Sequence, residues 1–139
     1  MALLGLLKDL ATIHEWTLSV WHGNHGWHEA SQRCSDALEI WCQGQGLSFE
    51  SHTADPTKVQ SEATARSWRY ACLEQSAATL EADIVTGHTA TDRTETLLLQ
   101  MARGSDLKGL CSLRAQRPLK SEDPQGIQLS RPMLIFQRH

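Results

Sequence analysis

His88, Asp92 and Glu95 have types and spacing that could do chemistry, and all three lie in the segment GHTATDRTETLLLQMARGSDLKGL, from Gly87 to Leu110. On a helix, Asp92 and Glu95 are three residues apart, so their carboxylates leave one face near its amino end. Paired acids there could hold an ammonium group or Mg²⁺. His88, one turn earlier, could contact a nucleotide or orient a reacting group. The same two acids could also do no more than favour the helix dipole at its first turn, and a histidine after a strand often serves only as a structural hydrogen-bonding group. Spacing alone leaves these readings open. Arg103 and Gly104 then close the segment with a positive group and a flexible turn.

A second constellation is His22, His25 and His28, an HxxHxxH run. Helical zinc motifs need their ligands on one face, and Gly23 and Gly26 disfavour a regular helix here. The run reads as a loop lining a nucleotide pocket, and no metal site is expected. Five tryptophans, Trp16, Trp21, Trp27, Trp41 and Trp68, could stack bases, but without a basic stripe they read as core and rim packing.

These residues need elements to position them. Residues 2–11 have the apolar density of a helix. Thr17 to Trp21 suits a short buried strand ending near Gly23, with His22 at its carboxyl end. From Ser31 to Gln43, Cys34, Ala37, Leu38, Trp41 and Cys42 follow helical spacing, and Gly44 and Gly46 supply the stop. Residues 47–52 read as the next strand. Residues 61–80 form a long helix capped by Ser61, with Ala65, Trp68, Cys72 and Leu73 on one face. Asp83 to Thr86 reads as a strand, and Thr91 to Ala102 as a helix. After a polar stretch containing Pro118 and Pro124, residues 127–130 form a last strand leading into Arg131 and Pro132. Alternating helices and strands predict an α/β fold with a mostly parallel sheet, in which ligands bind beyond the carboxyl ends of the strands. His22, His25, His88, Asp92 and Glu95 follow the predicted strand ends and are expected on that rim.

The 139 residues and 40% hydrophobic content suit one domain, spanning residues 1–139. The apolar opening MALLGLL ends at Lys8 and Asp9, well short of the roughly 20 residues of a membrane span. No secretory signal is recognised, so a cytoplasmic location is expected. Cys34, Cys42, Cys72 and Cys111 form no CxxC pair and read as reduced, mostly buried thiols. The net charge of −3 argues against a surface that coats nucleic acid generally. Its distribution is uneven: three Lys and Arg face eight acids in residues 1–65, and ten face eight in residues 66–139.

The Gly87–Leu110 segment resembles the signature block of the tRNA(Ile)-lysidine synthases: a Gly-His pair, two acids, a Glu-Thr pair, an Arg-Gly-Ser turn and a Gly-Leu pair. SEATARSWRYACLEQSA resembles the family's preceding helix through Glu62, Ala65, Arg66, Arg69 and Tyr70. VWHGNHGWHEAS resembles its second-strand segment, and RPML the Arg-Pro-Leu-Leu element that closes the domain. These blocks stand in the family's order and cover almost the whole chain. Thr91 departs from the pattern, standing where the family usually has the first of two adjacent acids. The family's phosphate loop, of the form SGGxDS, and the strand before it precede the helix that begins here at Met1. Neither stands in this sequence. The expectation is therefore a partial domain, truncated at its N-terminus, with two strands lacking a neighbour and no useful ATP affinity as written.

The resemblance implies a Rossmann-like sheet flanked by helices, of the adenine nucleotide α-hydrolase type. It also implies a carbon–nitrogen ligase that uses ATP and Mg²⁺ to adenylate the wobble cytidine in the CAU anticodon of tRNA(Ile), then joins free lysine to it. On that basis Asp92 and Glu95 would bind lysine, and His88 would contact the AMP moiety. Arg66, Arg69 and Arg103 would serve the substrates, and His22, Gly23 and Gly87 the nucleotide. The family permits a homodimer. Two other readings stay open: a tRNA-thiolating enzyme of the same superfamily, and a non-catalytic remnant that binds RNA or a partner.

Overall fold

A computed structural model describes residues 2–102, 104 and 113–137, and among these residues it has five strands, four α-helices and a 3-10 helix. In order these are α1 (Ala2–His14), β1 (Ser19–Asn24), α2 (Glu29–Gly44), β2 (Ser48–Thr53), α3 (Glu62–Leu80), β3 (Ile84–Val85), α4 (Ala90–Ala102), β4 (Gln116–Pro118), β5 (Gln128–Ser130) and the 3-10 helix Pro132–Ile135. The chain divides into two compact units, Met1–Ser76 and Ala77–His139, with the boundary inside α3.

In the first unit β1 and β2 run parallel, from Ser19 opposite Ser48 to Asn24 opposite Thr53. β1 extends through Gly23, beyond the end expected at Trp21. His22 is thus the fourth strand residue rather than a residue after the strand, because the ladder to β2 satisfies the backbone through the glycine. α2 packs on this pair. Its buried groups are Ser35 and Cys42, one face of a 3.6-residue period, and Ser35 Oγ lies 3.0 Å from Ser51 Oγ of β2. Cys34, which the apolar spacing placed inward, is exposed, whereas Cys42 is buried and Cys72 half-buried. Cys111 lies outside the described residues.

The helix ends follow local chemistry. α2 stops in a Schellman motif: Gly46 sits at φ +68°, and Leu47 N–H donates to Cys42 O at 2.9 Å and Gly46 N–H to Gln43 O at 3.1 Å. α1 and α3 end the same way without glycine. Glu15 (φ 56°) and Glu81 (φ 49°) take the left-handed position, with Trp16 N–H bonded to Ala11 O and Ala82 N–H to Ala77 O. α3 begins with the Ser61 cap that the sequence predicts. Thr64 N–H donates to Ser61 Oγ at 3.2 Å, and Ser61 N–H donates back to Thr64 Oγ1 at 3.0 Å, a capping box with threonine at its third position. Ala54, Val59 and Ala65 form a buried cluster against which Trp68 packs.

In the second unit β5 is central, parallel to β3 and antiparallel to β4. β4 corrects the reading of residues 116–118 as polar loop. Arg131 N–H donates to Ala115 O at 2.7 Å and Leu119 N–H to Ile127 O at 2.8 Å, so the hairpin is held by backbone bonds that no apolar pattern advertises. Pro118 is tolerated because β4 is an edge. Among the described residues β1 pairs only with β2, and β3 only with β5. Leu129 is fully buried, Ile84 and Leu134 nearly so, and Arg131 is only 1% exposed, with Nη1 donating to Arg114 O at 2.9 Å. Pro132 opens the 3-10 helix, whose end meets α4 where Ala90 N–H donates to Phe136 O at 2.8 Å. No helix among the described residues is long and apolar enough to cross a membrane.

Candidate functional site

The end of β1 and the start of α2 enclose a cleft of about 310 Å³, lined by His22, Gly23, Asn24, His25, His28, Ala30, Ser31 and Cys34. Asn24 shapes it. Its buried side chain accepts a bond from Gly26 N–H through Oδ1 at 2.9 Å, folding the chain into a tight turn in which Gly26 takes φ +69°, and its Nδ2 donates to Gln32 Oε1 at 3.2 Å. Asn24 is not among the candidate residues above, although an Asn two residues before a Gly is the local signature of such a turn.

Aromatic rings hold the turn. His25 lies 5.2 Å from the Trp27 ring and 5.4 Å from the Trp68 ring, and Trp27 Nε1 donates to Val59 O at 2.9 Å. Burial lowers the pKa of both His22 and His25 from 6.5; for His25 the Arg69 charge adds to this, Glu62 opposes it and His22 contributes further. Both rings are thus neutral near pH 7, able to donate from one nitrogen and accept at the other. His25 Nδ1 is buried with no hydrogen-bond partner among the described residues. Gly23 is required by packing: a Cβ there would stand 2.6 Å from Trp21 Cη2 and 3.2 Å from Trp68 Cζ3.

Arg66 and Arg69 lie on α3. Arg66 is exposed, its guanidinium 4.8 Å from the centre of the Tyr70 ring. Arg69 is half-buried, its Nη2 3.7 Å from Glu62 Oε1, and its buried Nε has no partner among the described residues. Glu62 is 81% exposed, so this pair adds little stability.

In the second unit Gly87 and His88 occupy the loop between β3 and α4. Gly87 is exposed, and His88 Nδ1 lies 2.9 Å from Thr86 Oγ1. Asp92, the third residue of α4, is half-buried: its Oδ2 accepts from both Thr89 N–H and Thr89 Oγ1, each at 2.7 Å. The helix-terminal role that spacing could not exclude is therefore real for Asp92. Glu95 is exposed on the next turn. Arg103 lies outside the described residues. Among the described residues no three of His, Cys, Asp and Glu gather into a group that could hold a metal ion, so Asp92 and Glu95 do not by themselves make a cation cage.

A mainly parallel α/β fold with polar groups at strand and helix termini is the architecture of a nucleotide-handling domain. Residues 1–139 match the PP-loop domain family over their whole length, and the chain belongs to that family. Among curated relatives, it is 53% identical over 138 residues to the tRNA(Ile)-lysidine synthase of Parasynechococcus marenigrum (strain WH8102), covering 99% of this chain and 41% of that protein. It is 48% identical over 146 residues to a tRNA(Ile)-lysidine synthase of Prochlorococcus marinus, covering 99% of this chain and 42% of that protein. The chain thus spans about two fifths of the length of these relatives. Among solved structures, the U34-tRNA thiolase NcsA from Methanococcus maripaludis, with its [4Fe-4S] cluster, matches 95% of this chain and 49% of its own, with a TM-score of 0.68 and 14% identity. That likeness shows the fold alone.

Proposed function

We propose that this chain is the nucleotide-handling part of a tRNA(Ile)-lysidine synthase. The observation that carries the reading is the 53% identity, over 99% of the chain, to a protein of that name. In the reaction, the ring carbonyl oxygen of the wobble cytidine attacks the α-phosphorus of ATP and pyrophosphate leaves. The lysine amine then attacks the ring carbon, the carbon–oxygen bond breaks, and AMP departs with the electron pair. Adenylation is needed because the carbonyl oxygen is otherwise a poor leaving group, and the amine must arrive neutral and held in place.

The cleft beside His22 and Gly23 suits the uncharged part of a nucleotide. His22 and His25 are neutral near pH 7, and the unsatisfied His25 Nδ1 is the kind of group a bound ligand or water would satisfy. Gly87 and His88 contact the nucleotide from the β3–α4 loop, with His88 serving adenylation. Asp92 and Glu95 receive lysine, since carboxylates attract its ammonium groups and repel phosphate. Arg66, Arg69 and Arg103 serve the phosphates or the tRNA. Mg²⁺ enters only as the partner of the ATP phosphates, and no step here depends on a protein-held ion. The proposed setting is the cytoplasm, where tRNA, lysine and ATP meet.

The test is a chimera in which this chain replaces the matching segment of the Parasynechococcus relative, incubated with a tRNA(Ile) transcript, ATP, Mg²⁺ and lysine. The expected products are AMP and a tRNA whose wobble cytidine carries the added mass of lysine. A folded chimera that makes neither would sink the reading, and incorporation of sulfur from a persulfide donor instead would transfer the chain to the thiolating enzymes.

A further inference from the structure

We propose that Thr89 is a positioning residue for lysine recognition, acting through Asp92. The inference rests on the reading that Asp92 receives lysine, and adds a residue that the signature block leaves without a role. Thr89 stands just before α4 and makes two bonds to the same oxygen, its N–H and its hydroxyl each 2.7 Å from Asp92 Oδ2. Half of a capping box is present: the third helical residue reaches back to the N–H of the residue before the helix. The added hydroxyl bond goes further than a cap requires.

An aspartate side chain has two rotatable bonds. One donor leaves the carboxylate free to swing about that contact, whereas two donors on different atoms of one residue restrict both. The helix in turn is held at Ala90 N–H by Phe136 O and at Arg93 N–H by Thr89 O, so the residue that grips Asp92 is part of a fixed frame. Thr96 Oγ1 also donates to Asp92 O at 2.8 Å, tying the backbone of the same residue. A carboxylate restrained in this way meets an incoming ammonium group without first losing its own freedom, which is the physical content of preorganisation.

The experiment measures steady-state lysine and ATP dependence in the Parasynechococcus chimera for Thr89→Val, Thr89→Ser, Asp92→Asn and the Val/Asn double variant. Thr89→Val keeps shape and N–H but loses the hydroxyl donor. It should raise the KM for lysine about fivefold to tenfold with the KM for ATP unchanged, and Thr89→Ser should restore it. In the Asp92→Asn background the Thr89→Val effect should shrink markedly, because its route is gone. Normal lysine KM in Thr89→Val while Asp92→Asn impairs lysine use overturns the role of Thr89 and leaves Asp92 as a lysine group. Normal lysine KM in Asp92→Asn overturns both. Equal rises for lysine and ATP, or a full Thr89→Val effect in the double variant, mean that the threonine only holds the helix, which also overturns the proposal. If Thr89→Val does not fold, Thr89→Ala in the same cycle decides between these outcomes.

Discussion

The indole of Trp21 fills the space in which a side chain at Gly23 would stand, with Cη2 only 2.6 Å from the ideal Cβ position. A glycine at the cleft is thus explained by an aromatic neighbour two residues earlier. Gly23→Ala forces Trp21 away from Trp68, whose ring centre is 6.3 Å from its own. Overpacking of this kind costs about 1–3 kcal/mol. Chemical denaturation should show the loss together with a shifted tryptophan emission; unchanged stability and emission would mean that the ring moves freely.

His22 and His25 make the first unit sensitive to acid. Their folded pKa values lie below the unfolded 6.5, mainly through burial, so between the two values the unfolded chain binds more protons than the folded one. Stability is full above about pH 6.5 and falls as the pH drops through the lowered folded values. Melting temperatures measured from pH 7.5 to 5 should decline, and the decline should be shallower in His22→Gln. An equal slope in that variant would remove His22 from the account.

Asp92→Asn and Glu95→Gln separate charge from shape. Asparagine keeps an acceptor for Thr89, so the start of α4 should survive while the attraction for ammonium is lost. Lysine use should fall about tenfold to hundredfold per contact, with ATP binding largely kept. His88→Ala should impair adenylation instead. The check is saturation with each substrate in turn, and equal losses for both would move the acids from lysine to a metal that travels with ATP.

Glu81 ends α3 at φ 49°, a conformation that costs an L-residue about 1–2 kcal/mol, partly offset by the entropy that glycine would add to the unfolded chain. Glu81→Gly is therefore expected to stabilise the chain by roughly 0.5–1 kcal/mol. A lower melting temperature in this variant would show that the glutamate side chain makes a compensating contact.

What could be read in advance was local. Ser61 before an amphipathic stretch is a cap by residue type, and Gly44 and Gly46 a stop by composition, so α2 and α3 were legible to within a few residues. The extension of β1 through Gly23 was not, because it depends on a ladder to residues 48–53. β4 was invisible for a similar reason: Gln116 and Arg117 have no strand-like alternation, and only their bonds to β5 define them. Around the site, the signature residues were legible as a resemblance, and His25 and His28 as loop residues, whereas His22 lies within β1. Thr89 and the burial of Arg131 were not, since each rests on hydrogen-bond geometry that residue type does not announce.

The bond from Ala90 N–H to Phe136 O ties the residue that caps the 3-10 helix Pro132–Ile135 to the first turn of α4. The 3-10 helix thus braces the first turn of α4, the turn that carries Asp92. Leu134 of this helix is buried, whereas Ile135 is exposed. If Asp92 receives lysine as proposed, this brace sets the placement of its carboxylate from outside the lysine site.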